Sequence, residues 1–136
     1  MRIKLDEGAI MPTRAHGTDA GLDIYTPVSF YLRAHSSYTI DTGVHVELPP
    51  NTAGFLKSKS GLNVNYGITS EGVIDVGYTG SIRVKLYNNS SDPRMFVAGD
   101  KISQLVILPI VVPELELVDE LADTERGANG FGSSGR

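Results

Sequence analysis

Asp75 stands in "SEGVIDVGYTGSIRVKLYN", directly after the apolar pair Val73–Ile74 and just before a glycine-containing turn. A carboxylate at a partly buried strand end can serve as a general base on water. Tyr78, three residues on, offers a ring that could pack against a sugar. A turn aspartate beside a core tyrosine fits the same letters. In "HGTDAGLDIYT", Asp23 lies between Leu22 and Ile24 and is expected to face away from the core at the start of a strand, where solvation alone would account for it. In "LKSKSGLNVNYG", Lys59, Ser60 and Gly61 supply an ammonium, a hydroxyl and a backbone that allows close approach. That trio suits phosphate oxygens, especially if a short helix starts just after it; an ordinary turn competes. In "AGDKISQL", Gln104 is an inward polar residue of an otherwise apolar strand. A buried glutamine needs hydrogen-bond partners, either structural or on a ligand.

The chain ends in "ERGANGFGSSGR", whose glycines and serines read as a flexible arm. It is neither a Walker A sequence nor a dinucleotide fingerprint placed after a strand. Its glycines nonetheless let backbone N–H groups converge on an anion, its serines add donors, and Arg126 adds charge. Phe131, which a linker has no use for, could stack on a flat base.

These residues need a scaffold, and the rest of the chain supplies strands. "VSFYL" places Val28, Phe30 and Leu32 on one face; "VHVEL" turns Val44, Val46 and Leu48 inward and His45 and Glu47 outward. In "SIRVKLYN", Ile82, Val84 and Leu86 point one way and Arg83 and Lys85 the other. "KISQLVIL" is apolar on both faces from Leu105, as a central strand would be. With 15 glycines and 7 prolines between short strands, the pattern predicts an all-β, jelly-roll-like barrel or sandwich. It holds at most one short helix, inside "SGLNVNYGI", and a flexible Gly-rich C-terminal arm. One domain is expected, with a β-barrel over 1–123 and a lid over 124–136. The 136 residues are 40% hydrophobic and 21% charged, ordinary for a soluble protein. The net charge of −4 argues against a general nucleic-acid binder. No cysteine is present, which removes disulfides, thiolate nucleophiles and Cys-ligated zinc. The three histidines, His16, His35 and His45, are scattered without metal-ligand spacing. "QLVILPIVVPELELV" is broken by prolines and too short to span a bilayer, so a soluble, intracellular, cytoplasmic protein is expected.

Taken in order, "AGLDIYT", "KSGL", "GVIDVGYTGSIRVKLYN", "GDKISQL" and "RGANGFGSSG" resemble the five motifs of the homotrimeric dUTPase family, across nearly the whole chain. The resemblance implies a jelly-roll subunit, a trimer with three active sites at subunit interfaces, and hydrolysis of dUTP to dUMP and pyrophosphate. That reaction limits uracil incorporation into DNA and supplies dUMP for dTMP synthesis. Asp75 matches the residue that activates the water attacking the α-phosphorus, and Tyr78 the tyrosine that packs on deoxyribose. Thr69, Gly72, Val73 and Ile74, in a hairpin approaching Asp75, would read uracil largely through backbone groups. Lys59, Ser60, Gly61 and Gln104 match phosphate contacts, and Arg83 joins the substrate-binding set. Asp23 matches the aspartate that holds Mg²⁺ through water. Arg126, Phe131, Gly132, Ser133 and Ser134 match the tail that clamps phosphate and covers the base.

The match has departures. Lys59 stands where arginine is usual, giving a point charge instead of a bidentate fork. Gly77 stands where many members have a second acid, Asn129 replaces a glycine, Ser134 a threonine, and the commonly seen asparagine near Thr69 is absent. The related dCTP deaminases need a glutamate where this chain has Lys85, so deamination is rejected. A non-enzymatic β-sandwich module would be expected to have lost Asp75 or the tail, and this chain keeps both.

Overall fold

The computed structural model describes residues 1–128. Period-two alternation resolves into β1 (Arg2–Leu5), β2 (Gly21–Tyr25), β3 (Phe30–Leu32), β4 (Ser37–Asp41), β5 (Val44–Glu47) and β6 (Thr52–Lys57). After a short helix α1 (Ser60–Tyr66) come β7 (Ile68–Ile74), β8 (Arg83–Asn88), β9 (Arg94–Phe96) and β10 (Lys101–Pro109). A six-stranded antiparallel sheet in the order β2-β10-β6-β7-β8-β4 curls around the core, with the pairs β1-β5 and β3-β9 beside it. The all-β expectation with one short helix is met. No helix among the described residues is long and apolar enough to cross a membrane.

The inward set of each alternating strand meets in one core. Leu22 and Ile24, Phe30 and Leu32, Val44 and Val46, Val84 and Leu86, and Leu105 are all buried together. Each such side chain contributes about 1.5–3 kcal/mol by leaving water. Two apolar assignments differ. Val28 is exposed because Thr26 turns the chain first: its Oγ1 donates to the Val28 carbonyl at 2.6 Å and accepts the Val28 N–H at 3.3 Å. β10 is central, but its last residues run past β2, whose pairing ends at Val106–Gly21, and Leu108 is exposed.

α1 makes about two turns and stops at Gly67, whose left-handed φ of 63° suits glycine. Its N–H donates to the Asn63 carbonyl at 2.9 Å. The stretch leading to Asp75 is therefore a helix followed by the single strand β7, not the expected hairpin. Beyond β10 the described residues, 110–128, run without strand or helix, and Val111, Val112, Leu115, Leu117 and Leu121 are exposed along them.

Candidate active site

Neighbouring strands bring Asp23 of β2 opposite Gln104 of β10, and Gln104 opposite Lys57 of β6. Asp23 is not the solvated residue expected from its position between Leu22 and Ile24; it is 5% exposed. Its outward face is covered by two lysines. Lys59 Nζ donates to Oδ1 at 2.5 Å and Lys101 Nζ lies 2.7 Å from Oδ2. Burial pushes the Asp23 carboxyl upward, but the hydrogen bonds and charges of Lys101 and Lys59 outweigh it and leave its pKa below the usual carboxylate value. The same contact raises the pKa of Lys101.

Lys101 is not foreseeable from alternation. It lies three positions before Gln104, an odd spacing that on a regular strand would put the two on opposite faces. A register shift in β10 between Lys101 and Ser103 re-aims the chain and brings Lys101 to Asp23. Gln104 donates through Nε2 to the Ser58 carbonyl at 3.0 Å, so its hydrogen bond is structural. Its side chain occupies the space where a Cβ on Gly21 would lie. A buried serine pair completes the support: Ser70 Oγ and Ser103 Oγ are 2.8 Å apart, and Ser103 Oγ donates to the Lys57 carbonyl at 3.0 Å. Ser58 accepts the Ser70 N–H at 3.0 Å. This network fixes the 57–60 loop and so the base of Lys59. Ser60 and Gly61 open α1 beside it, and nothing lies within 4 Å of where a Gly61 side chain would start.

Asp75 follows the last residue of β7. The Asp75 carbonyl accepts the Tyr78 N–H at 3.1 Å, and Gly77 has φ +90°, a type II turn. Asp75 is exposed, not partly buried as expected, because β8 leaves β7 early. The β7–β8 ladder ends at Ser70–Leu86, whereas β7 continues to Ile74 paired only with β6. Backbone groups of residues 71–74 on the β8 side thus form an open edge leading into Asp75. Within this strand Thr69 accepts a hydrogen bond from Asn89, Gly72 packs on Leu56, Val73 is exposed and Ile74 is buried. Tyr78 is 47% exposed, its hydroxyl donating to the Ser81 carbonyl at 3.0 Å. A Cβ on Gly80 would lie 2.5 Å from that hydroxyl oxygen, so the folded-back ring requires glycine there. Arg83 turns toward Asp41, with Nε 3.5 Å from Oδ2, and Asp41 also accepts a hydrogen bond from Ser81.

One chain does not unite the two groups. Glu71 pairs with Lys57 in the row of Gln104 and Asp23, and Asp75 lies four residues further along β7. At a rise of about 3.3 Å per residue that is about 13 Å. Arg126 lies in the exposed segment at the end of the described chain; Phe131, Gly132, Ser133 and Ser134 lie outside the described residues. Among the described residues no three His, Asp or Glu side chains gather to hold a metal. Asp23 is a single carboxylate with both oxygens held by ammonium groups. That donor set does not make a cage, but it fits a hydrated Mg²⁺ carried by phosphates, which keeps several of its waters.

A family model described as dUTPase matches residues 7–135. The deoxyuridine 5'-triphosphate nucleotidohydrolase of Gloeothece citriformis is 40% identical over 135 residues, covering 97% of this chain and 93% of the relative. The dUTPase of Staphylococcus bacteriophage 80alpha, solved with dUpNHpp, superimposes with a TM-score of 0.88 at 32% identity, covering 99% of this chain and 98% of that one. A variant dUTPase from phage phi11 of S. aureus, described as revealing coordination of a structural Mg(II) ion, gives 0.80 at 31% identity, with 88% and 96% covered.

Proposed function

The chain belongs to the dUTPase family, and from that premise we propose how its residues hydrolyse dUTP to dUMP and pyrophosphate. The Asp75 carboxylate takes a proton from a water whose oxygen attacks the α-phosphorus. The bond from that phosphorus to the bridging α–β oxygen breaks, and pyrophosphate leaves. The observation that carries this reading is the open backbone edge of β7 running directly into Asp75. A uracil set against it meets fixed N–H and C=O groups, and cytosine presents the opposite hydrogen-bond polarity. Tyr78, exposed and held by Ser81, offers its ring to the deoxyribose and disfavours a ribose 2′-hydroxyl.

Lys59, Ser60 and Gly61 bind phosphate oxygens, with Gln104 and Ser58 fixing their loop and Arg83 adding charge. Mg²⁺ over the triphosphate would neutralise charge and orient the phosphates for in-line attack, held by Asp23 through water. Residues 124–136 act as a lid of the same domain. In it Arg126, Gly132, Ser133 and Ser134 clamp phosphate and Phe131 covers the base, excluding water.

The site is completed between copies in a homotrimer. Two features support this: the separation of Asp75 from Asp23 along β7, and the exposed apolar row of Val111, Val112, Leu115, Leu117 and Leu121, which a second copy would cover. Incubation of the protein with Mg²⁺ and dUTP is expected to release one pyrophosphate per dUMP, and dCTP is expected to be a poor substrate. Equal turnover of dCTP would refute the backbone reading of the base, and absence of dUTP turnover would refute the assignment.

A further inference from the structure

His45 projects from β5 toward the turn that carries Asp75. Its Nδ1 lies 2.8 Å from the Thr79 carbonyl oxygen and its Nε2 lies 2.9 Å from Asp6 Oδ2. Both partners are acceptors. A neutral imidazole carries one N–H, so making both bonds requires the doubly protonated ring. The His45 side chain is 17% exposed, whereas Asp6 and Thr79 are open to solvent.

The Thr79 bond has no substitute. Residues 75–79 are exposed, and the hydrogen bonds of Tyr78 are local, to Asp75 and Ser81. Downstream anchors begin at Ser81, which donates to Asp41, and at Ile82, whose N–H donates to the Val44 carbonyl at 2.8 Å. Among the described residues, the His45–Thr79 bond is the only hydrogen bond that ties residues 75–80 to a different part of the chain.

We propose that His45 is a positioning residue for the hydrolysis: its imidazolium pins the Thr79 carbonyl and thereby holds the Asp75–Tyr78 turn against β5. The proposal rests on the reading of Asp75 and Tyr78 given above. Loss of the proton breaks the two bonds unequally. The remaining N–H stays with the Asp6 carboxylate, the stronger acceptor, and Nδ1 then presents a lone pair to the Thr79 oxygen. The tether is lost and the turn loosens.

The charged surroundings favour the imidazolium. The bond to Asp6 and then that to Thr79 raise the His45 pKa from its ordinary value, while burial and Lys4, its register partner on β1, oppose them. The other charged groups nearby are Arg2 and Glu47, paired with each other, and beyond the loop Asp41 and Arg83. A raised folded value means the tether is complete below about 6.5 and is lost as pH rises through the higher folded value.

The test uses the full chain with Mg²⁺ and dUTP from pH 5.5 to 9. The ratio of wild-type to His45→Gln kcat is expected to change about fivefold across the range, the worth of one hydrogen bond, with KM little altered. Asp6→Asn is expected to keep the low-pH kcat and move the midpoint of the decline to lower pH. Without substrate, the amide resonances of Gly77, Tyr78 and Thr79 are expected to titrate with the same midpoint as the His45 ring protons. A kcat ratio independent of pH, an unmoved midpoint in Asp6→Asn, or turn amides that ignore the ring would overturn the proposal. Because the resonance titration needs no turnover, it decides the tether even if dUTP is not hydrolysed, an outcome that would refute the hydrolase assignment instead.

Discussion

Asp75→Asn is expected to lower dUTP turnover about 100- to 10,000-fold, the usual contribution of a positioned general base, while nucleotide still binds. The amide keeps the shape of the side chain but has no basic oxygen pair to take the proton from water. The substitution should leave the fold intact, since Asp75 is exposed and it is the backbone carbonyl that accepts the Tyr78 N–H. Surface changes of that kind stay within about 0.5 kcal/mol. Single-turnover kinetics beside calorimetric titration with a non-hydrolysable analogue separate the two effects. Turnover near the wild-type rate would remove Asp75 from its role.

The second large effect is expected at Asp23. Asp23→Asn leaves Lys59 and Lys101 facing an amide, which has one accepting oxygen in place of two and neutralises neither charge. Turnover supported by Mg²⁺ is expected to fall about 10- to 100-fold, the scale seen when a group that orients a metal's surroundings is lost. The folded protein also loses a pH dependence. The Asp23 carboxyl lies below its ordinary value when folded, so its contribution to stability is present above about 3.9 and disappears as pH falls through the lower folded value. Thermal unfolding followed from pH 5 to pH 2 should show a shallower acid decline for Asp23→Asn than for wild type. Parallel declines would mean that the lysines add nothing to the aspartate.

Much of the scaffold is readable from alternation because one face of each strand is buried. Val44, Val46, Leu48, Ile82, Val84 and Leu86 all lie in the core as their spacing implies. Local hydrogen bonding defeats the pattern at Val28, where a threonine turn removes the residue from its strand. Gly77 looks like a lost acid when the letters are compared with the family; its φ of +90° shows the conformational demand that glycine meets there.

The motif residues are legible, but their surroundings are not. Asp23 reads as solvated because alternation reports which face it occupies and not what covers that face. Lys101 escapes because a bulge breaks the period on which the count depends. The buried Ser70–Ser103 pair and the His45–Thr79 contact join residues 33 and 34 positions apart, and no local spacing announces them. The gap between Asp75 and the Asp23 row likewise becomes visible only in the strand register.

That gap carries the central claim, that Asp75 of one copy works on phosphates held by another. The most direct measurement is dUTP turnover by an equimolar mixture of Asp75→Asn and Asp23→Asn chains, refolded together. If the site is shared, some sites in the mixture combine an intact Asp75 with an intact Asp23, and activity should rise well above that of either variant alone. Activity no greater than the average of the two separate variants would place the whole site within a single chain.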